Sequence, residues 1–481
     1  MTAINKQLLE LSEDVYANPD LQPNRLCQRW HRLCEQYLPV KFEDSIWRHS
    51  CKSKHREPLQ GWKLHISATI LDACDLFERV ASFLSSENVQ FKAPKSLDDL
   101  SGLNCGLQNG YHQVGKFITI YPDSEAHALC LAARLHELTK DFFPVLIPFD
   151  EQYAPDSSVF YRYGGFSIIE GKDEDGNTFP AIKNPADELV LDDRLKAVPE
   201  WLSNPFPNAG KPSEKTFEGT PLGTTYKIFS AITQRGKGGT YEAIDINGGQ
   251  PRLCIVKEGR RNGEIAWNGQ DGYALVENEF NVLKILKMQY APVPQVFDSF
   301  EIYGNFYFAM EYVEGKSLHE ILQPRQRRFS ILQVLNFALE ISRIIENIHQ
   351  SGWVWNDCKP ANLIVGLDKS LRPIDFEGAY PIGETDPFDW KTRGFSKSHQ
   401  NSGTAVDIYA LGAVIYFLLT GRLYDMEEII AIKKLRRNVP SKLIEITEKL
   451  LSESGLNIFE VKNELQEILA ELNKNVEIRT K

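Results

Sequence analysis

Hydrophobic and polar positions change period along this chain. Residues 63–69, Lys-Leu-His-Ile-Ser-Ala-Thr, alternate as a strand with one buried face. Directly after them Ile70, Cys74, Phe77, Ala81 and Leu84 recur at three- and four-residue spacing, which predicts a helix with one apolar stripe. Asn-Val-Gln-Phe-Lys, residues 88–92, reads as another strand, and residues 115–122 alternate again. Asp123 or Ser124 can then cap a helix carrying Ala126, Leu129, Ala133 and Leu138. Residues 1–50 read as mainly helical. The stretch Glu200–Gly223 is rich in Pro, Gly, Ser and Asn and lacks periodicity, which marks a linker. Beyond it, short strands are predicted at Tyr226–Ile232, Tyr241–Ile244, Leu253–Lys257 and Phe306–Met310. From Ser330 onward the chain reads as mostly helical. Ile458, Val461, Leu465, Ile468 and Leu472 share one face of a final packed helix.

Length adds a division to this pattern. A chain of 481 residues is too long for one ordinary core. The natural units are an α+β domain over 1–205, a linker over 206–222 and a second domain over 223–481, strand-rich to residue 313 and helical from 314. The formal net charge of −11 argues against a general nucleic-acid binder, which needs a basic face. The N-terminus carries no signal-type apolar run, and the longest apolar stretch, Tyr409–Leu419, is too short to span a bilayer. A cytoplasmic protein with no membrane partner is the expectation. The eight cysteines form no C-x-x-C pair, so neither zinc nor disulfide chemistry is expected. Cys358 lies between two candidate catalytic positions and reads as a spacer.

The second half carries chemistry in a recognisable order. "RGKGGTYEA" follows a strand, and its Gly236, Gly238 and Gly239 suit a backbone that closes over phosphates. "CIVKE" supplies Lys257, and "LVENEFNVLKIL" supplies Glu279, with Glu277 the second choice, as its ion partner. "FAMEYVEGKSL" would present backbone groups near Glu311 and Val313 to an adenine. "NDCKPAN" supplies Asp357, Lys359 and Asn362, "IDFE" supplies Asp375, and "DIYALGA" begins a buried helix at Asp407. Taken in this order the segments resemble a protein kinase. The resemblance implies a two-lobed fold that binds ATP or another nucleoside triphosphate with Mg²⁺. Asp357 would orient the hydroxyl and accept its proton, with Lys359 beside it, and Asn362 and Asp375 would supply oxygen ligands to the metal. Departures are Trp355 and Asn356 in place of His and Arg, Glu377 in place of the glycine of D-F-G, and "KTRGFS" where A-P-E is usual. None removes a metal, phosphate or proton-accepting group. Glu377 is either a carboxylate near the metal or a plain surface residue. Lys359 two residues after Asp357, together with the "DIYALG" helix, favours a peptide or protein substrate.

In the first half, "GWKLHISAT", "FK", "GKFITIYP" and "YRYGGF" in this order are similar to the N-terminal lyase region of class III and class IV lanthipeptide synthetases. That region is related to phosphothreonine lyases. The resemblance implies β-elimination of phosphate, with Lys92 as base, His65 as general acid, and Lys63, Lys116, Arg162 and Tyr121 gripping phosphate. The chemistry fits these types. A lysine working as a base near neutral pH needs its pKa brought from about 10.4 to about 7–8, on the order of 4 kcal/mol of environment. Burial and neighbouring cations can supply it. Lys63 and His65 are two apart on a strand and so face the same side. Lys116 and Tyr121 are expected together on another strand.

The implied activity is a bifunctional peptide dehydratase. It would phosphorylate Ser/Thr of a ribosomally made precursor peptide and then eliminate phosphate, giving dehydroalanine or dehydrobutyrine. Synthetases of this family continue into a cyclase region. Because this chain stops at Lys481, the expected product lacks thioether rings, and a separate cyclase or other enzyme would follow. Two other readings remain open on residues alone. One is a Ser/Thr kinase with a non-catalytic phosphopeptide-binding module, which would need Lys63, Lys116 and Arg162 but not Lys92 or His65. The other is a scaffold of two pseudoenzymes.

Overall fold

The structure is a computed structural model describing residues 21–42, 45–51, 58–207, 217–247, 249–289, 291–323, 328–387, 392–396, 403–426, 428–452 and 455–480. Residues 1–20, part of the expected helical lead-in, lie outside it. Among the described residues the lead-in is helical over α1 (Leu21–Tyr37). The chain then turns extended, as β1 (Val40–Lys41) and β2 (Trp47–His49). Within the stretch expected to be mainly helical, these short strands follow the helix. Trp47, Arg48 and His49 pair with Pro94, Ala93 and Lys92, and so distant a partner leaves no local signal.

The remaining N-terminal elements are β3 (Gln60–Ile66), α2 (Ala73–Ser86), β4 (Gln90–Pro94), α3 (Leu97–Cys105), β5 (Ile118–Tyr121), α4 (Glu125–Thr139), β6 (Glu151–Gln152) and β7 (Val159–Gly165). They build a seven-stranded sheet of order β1-β2-β4-β5-β3-β7-β6. Its ladders are antiparallel. The two-residue period divides the sheet. Trp62, Leu64, Ile66, Phe91, Ala93, Ile118, Ile120 and Tyr161 face the core under the helices, while Lys63, His65, Lys92, Thr119, Tyr121 and Arg162 line a cavity. Phe77 on α2 is fully buried against the rings of Trp30, Phe91 and Phe117. Phe77→Ala would cost about 3–5 kcal/mol.

Ser124 caps α4 by accepting the His127 N–H at 3.2 Å. The apolar side of that helix differs from the predicted one. Ala128, Leu131, Ala132 and Leu135 are buried, whereas Ala126 and Ala133 are exposed. In so alanine- and leucine-rich a helix several faces are apolar enough, and packing chooses among them.

A three-stranded flap follows, β8 (Glu170–Lys172), β9 (Thr178–Lys183) and β10 (Leu189–Leu191), in the order β10-β9-β8. Phe206, at the first position of the expected linker, stacks on Tyr161 with ring centroids 3.8 Å apart. Most of that linker, residues 208–216, lies outside the described residues.

The second half has a five-stranded sheet of β11 (Tyr226–Arg235), β12 (Gly238–Asp245), β13 (Arg252–Gly259), β14 (Val296–Ile302) and β15 (Asn305–Glu311), ordered β11-β12-β13-β15-β14. Helix α5 (Gly272–Met288) packs on it. The helical part holds α6 (Ile331–Gln350), α7 (Ala405–Thr420), α8 (Ser441–Leu451) and α9 (Ile458–Thr480). Helix α7 is apolar nearly all round and buried. Ile458, Val461, Leu465 and Ile468 seat α9 in the same core, with Leu472 partly buried against it. The molecule is thus an α+β domain followed by a two-lobed α/β domain. Among the described residues no helix is long and apolar enough to cross a membrane.

Candidate phosphate pocket and nucleotide cleft

The N-terminal sheet carries a cavity of about 590 Å³ lined by Lys63, His65, Lys92, Lys116, Tyr121 and Arg162. All six residues proposed from sequence therefore meet in one place. Lys63 and Arg162 are direct partners across β3 and β7, and Lys92 and His65 both pair with Thr119 of β5. Lys116 is not on a strand, as expected, but in the turn before β5.

Asp150, which sequence reasoning missed, organises the pocket. It is fully buried, accepts from His65 Nδ1 at 2.5 Å, and lies 3.1 Å from the Lys116 ammonium. Nε2 is then the ring nitrogen left for a substrate. Burial works to raise the Asp150 carboxyl, but Lys116 and His65 outweigh it and hold it down to about 2. Burial pushes His65 down to about 4 against the pull of Asp150. It also pushes Lys63 down to about 8, with the Arg162 and Lys92 cations adding to the effect. Lys116 is lowered too, by burial first. Lys63, Lys92, Lys116 and Arg162 outnumber the carboxylates Asp150 and Asp192 around this cavity, an excess of positive charge that suits an anion; a phosphate dianion would favour the charged form of His65, Lys63 and Lys116.

Arg162 is buried and donates from Nη2 to Asp192 Oδ1 at 2.7 Å and to the Asp193 carbonyl at 3.2 Å. Its buried Nε has no protein partner among the described residues. Lys92 lies over the Trp47 ring, 4.2 Å from its centroid. The Tyr121 ring meets Phe166 edge-on at 5.3 Å. Asp150, Asp192 and Trp47 sit outside every motif, so nothing in the sequence pointed to them.

In the second half, Lys257 donates to Glu279 at 2.5 Å and to Asp375 at 3.0 Å. Glu277 is exposed, which settles the choice between the two glutamates. Burial pushes Glu279 up to about 7, with Lys257 opposing and Asp375 and Glu377 reinforcing. Burial opposes the lowering of Asp375, yet Lys257, Lys237 and Lys359 hold it well below the carboxylate range.

Asp357 is buried, bonded by Lys359 at 2.7 and 2.9 Å, by Asn362 Nδ2 at 2.7 Å and by the Thr392 hydroxyl at 2.9 Å. Burial raises its pKa against Lys359. With its nitrogen engaged, Asn362 has its amide oxygen left for a cation. That oxygen and the Asp375 carboxylate are hard donors of the kind Mg²⁺ takes. Glu311 ends β15, its N–H donated to the Gln295 carbonyl at 2.8 Å, and Val313 follows, half-buried.

The departures now have structural reasons. Trp355 donates its backbone N–H to Asp407 at 2.8 Å and its indole N–H to the Asp375 carbonyl at 3.0 Å, and its ring stacks on Phe376. Asn356 bonds the Gly378 carbonyl at 3.1 Å and Asp386 at 2.9 Å, so it bridges the segment after Asp375 directly. Glu377 is buried, paired with Lys237 and 3.4 Å from Lys257. This corrects the surface reading of Glu377. The glycine segment is a tight two-residue turn, Gly236-Lys237, because Arg235 pairs with Gly238. Gly238 has φ +150°, and a Cβ there would lie 1.8 Å from the Glu258 carbonyl oxygen. Gly239 pairs with Glu258. Gly236 also meets the N-terminal domain: its N–H bonds the Cys105 carbonyl at 3.1 Å. All eight cysteines are free thiols, and Cys358 is buried, its thiol pushed well up by burial, as suits a spacer.

A lysine–glutamate pair between a sheet and a helix, facing an Asp-x-Lys-x-x-Asn loop and a second aspartate, defines a protein kinase cleft. Sequence comparison agrees. Residues 236–477 match the protein kinase domain and residues 35–217 the RamC N-terminal domain, and the chain belongs to the protein kinase family with a RamC-type domain ahead of it. Among individual relatives, it is 30% identical over 387 residues to the probable SapB synthase of Streptomyces coelicolor, covering 76% of this chain and 40% of that protein. It is 29% identical over 213 residues to serine/threonine-protein kinase D of Synechocystis sp., covering 41% of each. The chain thus spans about two-fifths of the length of these relatives. The resemblance to lanthipeptide synthetases read from the motifs is borne out across both domains.

Proposed function

We propose that the chain dehydrates a peptide in two steps. The kinase domain transfers the γ-phosphoryl of ATP, or another nucleoside triphosphate, to a Ser or Thr hydroxyl, and the N-terminal domain eliminates the phosphate. The substrate would be a ribosomally made precursor peptide. Lys257 and the glycine turn would hold the triphosphate, Glu311 and Val313 the base, and Asp357 would take the hydroxyl proton with Lys359 beside it. Asn362 and Asp375 would hold Mg²⁺, which neutralises charge on the transferring phosphoryl.

In the pocket, Lys63, Lys116 and Arg162 would neutralise the phosphate dianion, with Tyr121 alongside. Lys92 takes the Cα proton, the electron pair forms the Cα–Cβ double bond, and the Cβ–O bond breaks. His65, oriented by Asp150 and brought to its protonated form by the bound phosphate dianion, gives its Nε2 proton to the departing oxygen. Dehydroalanine or dehydrobutyrine and inorganic phosphate result. What supports this most is the convergence of a candidate base, an oriented histidine and three phosphate-sized cations in one cavity, beside a kinase able to make the phosphoester. A domain that only bound phosphopeptide would have no use for a histidine held by a buried carboxylate.

Lys92→Ala tests the assignment. Supplied with a synthetic phosphothreonine peptide, the variant should bind it and leave it intact, while the wild type releases phosphate and a peptide 98 Da lighter by mass spectrometry, on the order of the mass of phosphoric acid. Elimination by the variant at the wild-type rate would remove Lys92 as base. No elimination by the wild type from any phosphopeptide would make the domain a binding module.

A further inference from the structure

The kinase's glycine turn is held by the neighbouring domain. Gly236 donates its N–H to the Cys105 carbonyl at the end of α3, at 3.1 Å. A Cβ at position 236 would lie 1.6 Å from the Asn104 carbonyl oxygen, so the approach is possible only for glycine. Arg235 donates to Cys105 Sγ at 3.2 Å and to Glu264 at 3.0 Å.

Arg260, just past β13, completes the arrangement. It is buried and reaches three ways. Its Nη1 donates to the Tyr111 hydroxyl at 2.5 Å and to the Arg235 carbonyl at 3.1 Å. Its Nε and Nη2 hold Glu258 at 3.0 and 2.8 Å. Its backbone N–H donates to the Lys237 carbonyl at 2.8 Å. Downstream, Ile265 and Trp267 pack against the N-terminal core, and Asn262 donates to the Pro144 carbonyl at 3.4 Å. This segment leads directly into α5, which carries Glu279. Both the turn that covers nucleotide phosphates and the approach to the helix that pairs with Lys257 are therefore bonded to the N-terminal domain.

We infer that the N-terminal domain is a working part of the nucleotide site, with Tyr111 and Arg260 as positioning residues that hold the glycine turn in its phosphate-binding shape. The inference rests on the kinase half of the proposed function. Glycine-containing turns have many conformations to lose on closing over a ligand. A turn already fixed by a neighbouring domain loses fewer, and the saving appears as nucleotide affinity. Lys237 at the tip is aimed in the same way, since its partner Glu377 lies two residues past Asp375.

Tyr111→Phe isolates the contact. It keeps the ring packing on Phe149, at 5.9 Å, and the guanidinium-to-ring approach of Arg260, at 5.4 Å, and removes only the hydroxyl. On the full chain, the Mg·ATP dissociation constant by calorimetry should rise at least about threefold, as expected for one lost charge-assisted hydrogen bond. Amide hydrogen exchange over residues 234–240 should accelerate. Elimination from a synthetic phosphoserine peptide should stay unchanged, because Tyr111 lies outside the phosphate pocket. Unchanged affinity and unchanged exchange in a variant whose wild type binds Mg·ATP would overturn the inference. A wild type that does not bind Mg·ATP would overturn the kinase reading itself, and the inference with it.

Discussion

Asp150→Asn is the most informative single substitution in the phosphate pocket. The carboxylate is completely buried, 2.5 Å from His65 Nδ1 and 3.1 Å from the Lys116 ammonium. At an effective dielectric near 20, two unit charges 3.1 Å apart interact by about 5 kcal/mol. Desolvation offsets part of this, and removing one partner of a buried pair typically costs about 3–5 kcal/mol. The cost has two expressions. First, Lys116 would lose its buried counter-ion, so the empty domain should melt earlier, and inorganic phosphate should restore part of the loss by supplying charge. Second, the histidine loses its orienting acceptor. An asparagine can present an NH₂ to Nδ1 as readily as an oxygen, so the ring can adopt the wrong tautomer. Misplacing a general acid costs on the order of 10²–10⁴ in rate. The assay is phosphate release from a phosphothreonine peptide, with peptide phosphorylation by the same preparation as the internal control. Elimination within threefold of wild type, on protein that still phosphorylates peptide, would refute the assignment of Asp150 as the residue that orients His65.

Two further outcomes are expected. Asp375→Asn should abolish phosphorylation, by loss of the proposed metal ligand, while leaving elimination from a supplied phosphopeptide intact; loss of both activities in a folded variant would contradict two separate sites. His65, with its folded-state pKa depressed by burial to about 4, should make the chain acid-sensitive. The unfolded state binds its proton near pH 6.5 and the folded state only near 4, so the contribution is intact above about 6.5 and is lost as pH falls toward 4. By pH 5 the loss is about 2 kcal/mol. Thermal melts at pH 7 and 5 should therefore diverge more for wild type than for His65→Gln, and equal divergence would show that His65 titrates normally.

The period of the sequence determined a good deal by itself. In Lys63-Leu64-His65 the alternation places both polar groups on one face, because a strand turns successive side chains to opposite sides and Leu64 is claimed by the core. The same local rule aims Lys92 and Arg162 into the cavity beside buried Phe91 and Tyr161. The kinase motifs were legible because phosphoryl transfer needs fixed residue types at fixed short spacings, as with Asp357, Lys359 and Asn362 in one loop.

What tertiary structure alone decided lies where no local rule acts. β2 is three residues long and is defined by its pairing to β1 and β4, so Trp47 reached Lys92 unannounced. In α4 the chain offered several apolar faces, and contact with the sheet selected Ala128, Leu131 and Leu135. Asp150 and Asp192 stand in segments without periodicity, 85 and 30 residues from the His65 and Arg162 side chains they hold. A carboxylate in a loop looks the same in sequence whether it is solvated or buried against a histidine. Gly236 could be read as a phosphate-loop glycine, but not as the glycine on which Asn104 and Cys105 of another domain rest. Burial and charge pairing at such distances depend on how two sheets and their loops are brought together, and spacing along the chain carries no record of that.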